Sequence, residues 1–98
     1  MIKFKNLEFS LGEFGGVGAT HTFENGITIS VKASLFAYSL PRENLSSADK
    51  YSSFEVAIWD EAGKWITKNF IPNNHEYDVI GWQNRDEIND IMKAIQSK

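Results

Sequence analysis

The segment from residue 27 to residue 36 alternates between apolar and polar side chains along almost its whole length. The apolar positions, two residues apart, are Ile27, Ile29, Val31, Ala33 and Leu35. This period of two is typical of a β-strand with one buried face and one face in water. Such a strand needs a second layer of structure to cover its apolar face, and this requirement constrains the fold more than any other feature of the sequence.

The last part of the chain supplies a candidate for that layer. Its apolar residues recur at the spacing of one helical face and are Ile88, Ile91, Met92 and Ile95. Asn84 suits the N-cap position, and Glu87 stands three residues later, as a capping box requires. We therefore expect an α+β fold with about four or five antiparallel strands and one C-terminal helix packed on one face of the sheet. No linker or repeat divides the sequence, so residues 1–98 are expected to form a single domain.

Two short segments carry the signature of tight hairpin turns. Asn25-Gly26 predicts a two-residue type I′ turn, because both residues tolerate the positive φ that this turn requires. The segment 60–64 predicts a type I turn closed by Gly63 in the left-handed region. A further strand is predicted over residues 2–11 with a break near Asn6, and residues 39–53 are predicted to form a long loop.

The second of these turns sets a register that pairs two tryptophans. It places Trp59 opposite Trp65, on the face away from the apolar stripe of residues 54–58. If the helix covers the tryptophan face, the pair is buried beneath the helix and has a structural role. If the helix covers the other face, both rings are exposed and can contact a partner protein or stack on a base. Trp82, directly before the helix, is expected to pack against it.

Composition excludes several classes of protein. The 98 residues include no cysteine, which removes disulfides, thiolate zinc sites and cysteine nucleophiles. A chain of this length has room for one core, so a two-domain enzyme with a cleft between its domains is excluded. The net charge of −3 argues against direct nucleic-acid binding. No segment approaches the roughly 18 apolar residues of a membrane span, so we expect a cytoplasmic location and no membrane binding.

Motifs for catalysis or metal binding are weak. The glycine-rich segment 12–18 resembles a phosphate-binding loop, but it precedes a strand and lacks the lysine and hydroxyl residue of such loops. It is better interpreted as a flexible connector or a mobile binding loop. Residues 75–78 bring His, Glu and Asp close together in sequence without the spacing of a known site. We therefore expect no enzymatic activity, no metal and no cofactor.

The residues predicted to bind a partner are surface residues rather than members of a catalytic pattern. They are Trp59, Trp65, Tyr38, Arg42, Lys64, Glu76 and Asp78. Arg42 follows Pro41, and a guanidinium on such a rigid turn suits a carboxylate or a phosphate. The alternative is that it forms an ion pair with Glu43 or Asp49 and orders the loop. The acidic residues toward the C-terminus could likewise face a basic partner or simply be solvated.

Four blocks of sequence resemble a known group of proteins. They are residues 23–31 with Asn-Gly, residues 40–43 with Leu-Pro-Arg-Glu, residues 51–60 with Glu-Val-Ala-Ile-x-Asp, and residues 78–82 with Asp-Val-Ile-Gly-Trp. Over about residues 22–96 the pattern is similar to small accessory proteins encoded by tailed bacteriophages. In that group the last block ends in an aromatic residue before a terminal helix, and Trp82 occupies that place.

The resemblance implies a non-catalytic phage protein that acts in the host cytoplasm. The function expected from it is inhibition of a host defence complex by protein–protein contact, as anti-CRISPR proteins do. The alternative is an oligomeric sponge that sequesters a signalling nucleotide, held by Arg42, Lys64 and stacked aromatic rings at a subunit interface. The expected partner is accordingly a host protein or complex, or a nucleotide bound by a homo-oligomer.

Overall fold

The computed structural model describes residues 1–71 and 78–98. These residues form one antiparallel five-stranded sheet, with the strands in chain order, and one α-helix after the last strand. The strands are β1 (Ser10–Leu11), β2 (Val17–Thr22), β3 (Thr28–Ala33), β4 (Phe54–Trp59) and β5 (Val79–Gln83), and the helix α1 spans Arg85–Gln96. Single 3-10 turns lie at Phe4–Asn6, Ala48–Lys50 and Thr67–Phe70. The predicted α+β fold with a C-terminal helix is confirmed.

One face of the sheet and one side of α1 form the hydrophobic core. Val31 of β3 lies in register between Ala19 of β2 and Val56 of β4. These side chains share one buried cluster with the predicted helical stripe, which consists of Ile88, Ile91, Met92 and Ile95. Burial of each large aliphatic side chain contributes roughly 1.5 to 3 kcal/mol. The helix is therefore held on the face of the sheet that carries Val56.

Side chains fix both ends of α1. At its start, Asn84 Oδ1 accepts the Glu87 N–H at 2.8 Å, and Glu87 Oε1 accepts the Asn84 N–H at 2.9 Å. This is the predicted capping box. At the other end, Asn25 Nδ2 donates to the carbonyl of Ile95 at 2.9 Å. The turn between β2 and β3 thus satisfies a carbonyl in the last turn of the helix.

That turn is not the predicted type I′ turn. The Phe23 N–H donates to the Ile27 carbonyl at 2.8 Å, and the Gly26 N–H donates to the Phe23 carbonyl at 2.9 Å, so the loop contains three residues. Gly26 has a φ of 86°, whereas Asn25 does not adopt a positive φ. The geometry is that of a type I turn closed by a glycine bulge. The difference coincides with the bond from Asn25 to the helix, a long-range contact that the local sequence does not report.

The strand predicted over residues 2–11 is reduced to its last two residues. Side chains of α1 bind the backbone of the earlier part: the Ile2 N–H donates to Gln96 Oε1, and the Phe4 N–H donates to Asn89 Oδ1, both at 2.8 Å. A 3-10 turn occurs at the predicted break and separates this part from β1. Contact with the helix therefore replaces strand pairing at the start of the chain.

Arg85, the first residue of α1, ties the helix to a loop and to two aromatic rings. Its Cζ lies 5.1 Å from the ring centroid of Phe4 and 5.2 Å from that of Phe54. Nη1 donates to the carbonyl of Tyr51 and Nη2 to that of Ala48, both at 2.8 Å. A planar guanidinium can donate in its plane while stacking on rings, which an ammonium group cannot do.

Replacing Arg85 with lysine is expected to lower the free energy of unfolding by about 1 to 3 kcal/mol, because one or both carbonyl bonds and the ring contacts are lost. Urea denaturation followed by tryptophan fluorescence measures this change. Arg42→Lys, at the other arginine and in an exposed loop, is the matched control and should change the free energy by less than about 0.5 kcal/mol. Equal effects of the two substitutions would contradict the structural role given to Arg85.

Candidate functional site

The sheet has one face that α1 does not cover. Because side chains alternate along a strand, the residues next to the buried positions point to the opposite side. We call this side the open face; its central residues are Thr20, Ser30, Lys32, Glu55, Ala57 and Trp59. The sequence left undecided which face of the sheet the helix covers, and the structure decides it. The helix packs on the face of Phe54, Val56 and Ile58, and Trp59 lies on the other.

Trp59 and Trp65 form an edge-to-face pair at one end of the open face. Their backbones are bridged in the predicted register, and the ring centroids are 5.4 Å apart at an interplanar angle of 63°. The Asp60 N–H donates to the Lys64 carbonyl at 2.8 Å, and Gly63 has a φ of 83°, so the predicted turn is also confirmed. Trp59 is partly buried, whereas 45% of Trp65 is exposed. The outer surface of this tryptophan pair is therefore available for contact.

A shallow groove runs along the open face from the tryptophan pair. Its volume is about 220 Å³, and it is lined by Thr20, Ser30, Lys32, Glu55, Ala57, Trp59, Trp65 and Val79. Ser30 and Ala57 are small, buried residues that form its floor. A Cβ placed on Gly18 would lie 3.6 Å from Cγ of Lys32, so the lysine stem lies over that glycine. The groove thus has indole rings at one end and charged groups at the other.

The charged end of the groove adjoins a second aromatic cluster. Glu55 Oε2 accepts the Tyr38 N–H at 2.8 Å, and the Tyr38 carbonyl accepts the Trp82 N–H at 2.8 Å. The ring centroids of Tyr38 and Trp82 are 5.2 Å apart, with an interplanar angle of 31°. Arg42 Cζ is 5.7 Å from the Tyr38 ring centroid. We call Tyr38, Arg42 and Trp82 the Tyr38 cluster. It and the tryptophan pair are two aromatic groups on one continuous surface.

Trp82 reaches this cluster through a bulge in β5. Phe54 pairs with Gln83 and Val56 pairs with Ile80, so two residues of β5 lie opposite the single residue between them on β4. Trp82 has a φ of 55°, a conformation that costs a bulky residue roughly 1 to 2 kcal/mol. Bulges re-aim side chains in this way. We expected Trp82 to pack against α1, but its aromatic neighbour is Tyr38, and 51% of the residue is exposed.

Gly81 permits the close approach of Tyr38 to β5. A Cβ at Gly81 would lie 2.5 Å from Cβ of Tyr38, closer than real carbon contacts allow. Glycine is therefore required for Tyr38 to lie against the strand. Tyr38 is thus held by β5, through this packing and the hydrogen bond from the Trp82 N–H, and by β4, through the hydrogen bond to Glu55.

Exposed apolar residues also occupy the loops at the same end of the sheet. Phe14, Leu35 and Phe36 are exposed, Phe14 to 81% and Phe36 to 76%. Asn44 joins their loops, because its Oδ1 accepts the Leu35 N–H at 2.9 Å and its Nδ2 donates to the Phe14 carbonyl at 3.4 Å. Sequence reasoning did not identify Phe14 and Phe36, and it wrongly placed Leu35 on the buried face of a strand that in the structure already ends at Ala33. For Phe14 the available signal was a large apolar side chain among glycines.

The structure divides the predicted site residues between the two aromatic groups. Lys64 lies in the turn between the two tryptophans, where its N–H donates to Asp60 Oδ1 at 2.9 Å. Arg42 lies at the opposite end of β4, beyond Glu55. The four-residue separation of Glu55 and Trp59 along the strand corresponds to about 13 Å. Arg42 and Lys64 therefore do not converge on one small ligand within a single chain.

Of the two predicted acidic residues, the structure describes Asp78. Asp78 is exposed just before β5, and its carbonyl accepts a hydrogen bond from Thr67 Oγ1 at 2.6 Å. Glu76 and His75 lie outside the described residues. The glycine-rich segment closes on itself, since the Gly12 N–H donates to the Gly16 carbonyl at 3.0 Å and the Gly15 N–H to the Gly12 carbonyl at 3.2 Å. Two of its N–H groups are thus already used.

Comparison of the chain with known protein families, with curated proteins and with solved structures finds no match. Within residues 1–71 and 78–98, no helix is long and apolar enough to cross a bilayer. In the same residues, no three His, Cys, Asp or Glu side chains are grouped as a metal site.

The strained backbone at Trp82 has a measurable consequence. Trp82→Gly is expected to be more stable than Trp82→Ala by about 1 kcal/mol, because glycine adopts positive φ without a steric penalty. Both variants lose the same ring contact, so their difference reports the backbone alone. Thermal or urea denaturation measures it, and an alanine variant at least as stable as the glycine variant would contradict the strain.

Proposed function

We propose that this chain is a non-catalytic binding protein that contacts another protein through its open face and its Tyr38 cluster. The observation that carries the proposal is the set of aromatic residues on the side of the sheet that α1 leaves uncovered. Tyr38, Trp65 and Trp82 are each about half exposed. Tyrosine and tryptophan dominate interface hot spots because they bury a large area while immobilising few rotatable bonds.

These rings are held in position before any partner binds. Trp65 packs edge-to-face with Trp59, Tyr38 is fixed by two backbone hydrogen bonds, and Trp82 is fixed by the bulge. A surface that is already ordered loses less conformational entropy on binding, so more of the contact energy appears as affinity. This preorganisation favours recognition of a folded partner.

The groove between the two aromatic groups supports the same proposal. Its floor of Ser30 and Ala57 lets a partner side chain approach the sheet, and its sides offer indole rings together with Lys32 and Glu55. Protein interfaces commonly combine an apolar centre with a polar rim in this manner. The groove is therefore suited to a side chain that projects from a partner surface.

The resemblance to phage accessory proteins supports a host protein or complex as the partner. A phage protein of this kind acts on host machinery, so the proposed partner is a host defence complex. Inhibition would follow from occlusion: the bound chain covers a surface that the complex needs for its own target. This mechanism requires no catalytic group.

The Tyr38 cluster favours a second candidate function, capture of a nucleotide. Arg42 lies over the Tyr38 ring, which packs at a tilt against Trp82. Aromatic faces and guanidinium groups are the side chains that bind bases and phosphates. The position of Lys64 favours the first candidate, because a single chain offers only Arg42 of the two predicted cations at that cluster.

Single substitutions on the surface are expected to separate binding from stability. Trp65→Ala and Trp82→Ala should each weaken the complex with the host partner by about 1 kcal/mol or more, at least a five-fold rise in Kd. The partner is first identified by affinity capture from host lysate and mass spectrometry. Its affinity for each variant is then measured with purified components by calorimetry.

Asp90→Ala, on the exposed side of α1, is the matched control and should leave the affinity unchanged. The proposal fails if Asp90→Ala weakens the complex while both tryptophan variants bind normally, since the partner then contacts the helix side. Native mass spectrometry of the purified protein tests the second candidate. A retained nucleotide that Arg42→Ala releases would establish nucleotide capture in place of protein binding.

A further inference from the structure

The outer edge of β2 is only partly paired. Of its six residues, β1 pairs with Val17 and Gly18 alone. The Phe23 N–H donates to the Ile27 carbonyl of the neighbouring strand. Backbone groups alternate in direction along a strand, so His21, Ala19 and Val17 also direct their N–H and C=O groups toward β3. The N–H and C=O groups of Thr20 and Thr22 consequently point away from β3. Among the described residues, these groups have no backbone partner.

This edge also lacks the features that prevent exposed strand edges in natural proteins from pairing with another strand. The segment Val17–Thr22 contains no lysine, no proline and no acidic residue, and its register with β3 is unbroken. Charges, prolines and bulges are the usual protection of exposed edges, because unpaired backbone groups are a template for another strand. The edge of β2 is therefore open to strand pairing.

The sequence of the edge is symmetric about one residue. Thr20 and Thr22 flank His21 on either side. If two copies pair antiparallel about a two-fold axis at His21, histidine lies opposite histidine and threonine lies opposite threonine. In that register, Thr20 of one copy lies opposite Thr22 of the other. Four N–H···O=C hydrogen bonds then form, and each threonine pair adds a favourable cross-strand contact.

We propose that two copies of this chain associate through the outer edge of β2 and form one continuous antiparallel sheet. The fitting partner is a second copy because the edge is self-complementary in sequence, and its residues 20–22 include no lysine, arginine, aspartate or glutamate to oppose its own image. The His21 ring packs at 4.8 Å on Phe23, which fixes it on the helix side of the sheet. The proposal does not depend on the function assigned to the open face.

A second layer of contact lies beneath the edge. A groove of about 790 Å³ opens between the start of the chain, the end of β2 and the end of α1, and Ile2, His21 and Phe23 are among its lining residues. Strand pairing alone covers a small area, whereas a stable interface covers about 800 Å² on each partner. Closure of this groove by the second copy supplies additional contact, which is apolar at Met1, Ile2 and Phe23 and polar over the remaining lining residues.

Sedimentation or light scattering over about 10 µM to 1 mM protein tests the proposal. The mass is expected to rise with concentration from 11.1 kDa toward twice that value. His21→Glu places two like charges face to face and should raise the dimer Kd at least ten-fold. Ser46→Glu, which adds the same charge in an exposed loop, is the matched control and should dimerise like the original chain.

Thr20→Pro provides an independent variant, because it removes an N–H that has no partner in the described single chain. Loss of the dimer in both edge variants, with circular dichroism unchanged in at least one of them, supports pairing at β2. A protein that is monomeric up to about 1 mM overturns the proposal. So does a dimer that survives both edge variants but is lost in Trp65→Ala, since that contact lies on the open face.

Discussion

The packing of α1 against one face of the sheet is the interaction on which the rest of the structure depends. The apolar stripe of the helix is buried together with the centres of β3 and β4. The same helix binds the start of the chain through Asn89 and Gln96, and the β2–β3 turn through the Ile95 carbonyl. Because a single helix covers a single face, its docking also determines which side chains remain exposed. The tryptophan pair lies on the side that the helix leaves uncovered.

Periodic features were predictable from sequence, because they arise from contacts between neighbours in the chain. The helical stripe, its capping box and the register of Trp59 with Trp65 all follow from spacing and turn chemistry. Features that depend on distant partners were not predictable. Asn25 adopts a different turn in which it binds Ile95, and the segment before β1 leaves the strand conformation where α1 binds its backbone.

The Tyr38 cluster illustrates the same limit within the candidate site. Tyr38 and Arg42 were identified as exposed residues of suitable chemistry, but their association with Trp82 depends on a bulge opposite Glu55. A bulge of one residue changes which side of a strand each side chain occupies, and an alternating pattern cannot reveal it when only Val79 and Ile80 precede the bulge. The close approach to Gly81 is likewise visible only in three dimensions.

The helix side of the sheet contributes most to stability, whereas the open face is available for recognition. Substitutions on the helix side remove buried aliphatic contacts, whereas those on the open face remove contacts that are already half solvated. Pairing of two copies at β2 would extend this division, because a two-fold axis perpendicular to the sheet keeps both open faces on the same side. The resulting particle would present two tryptophan pairs and two Tyr38 clusters in one plane. A partner with repeated subunits would then be bound at two points, and the second contact would form at high effective concentration.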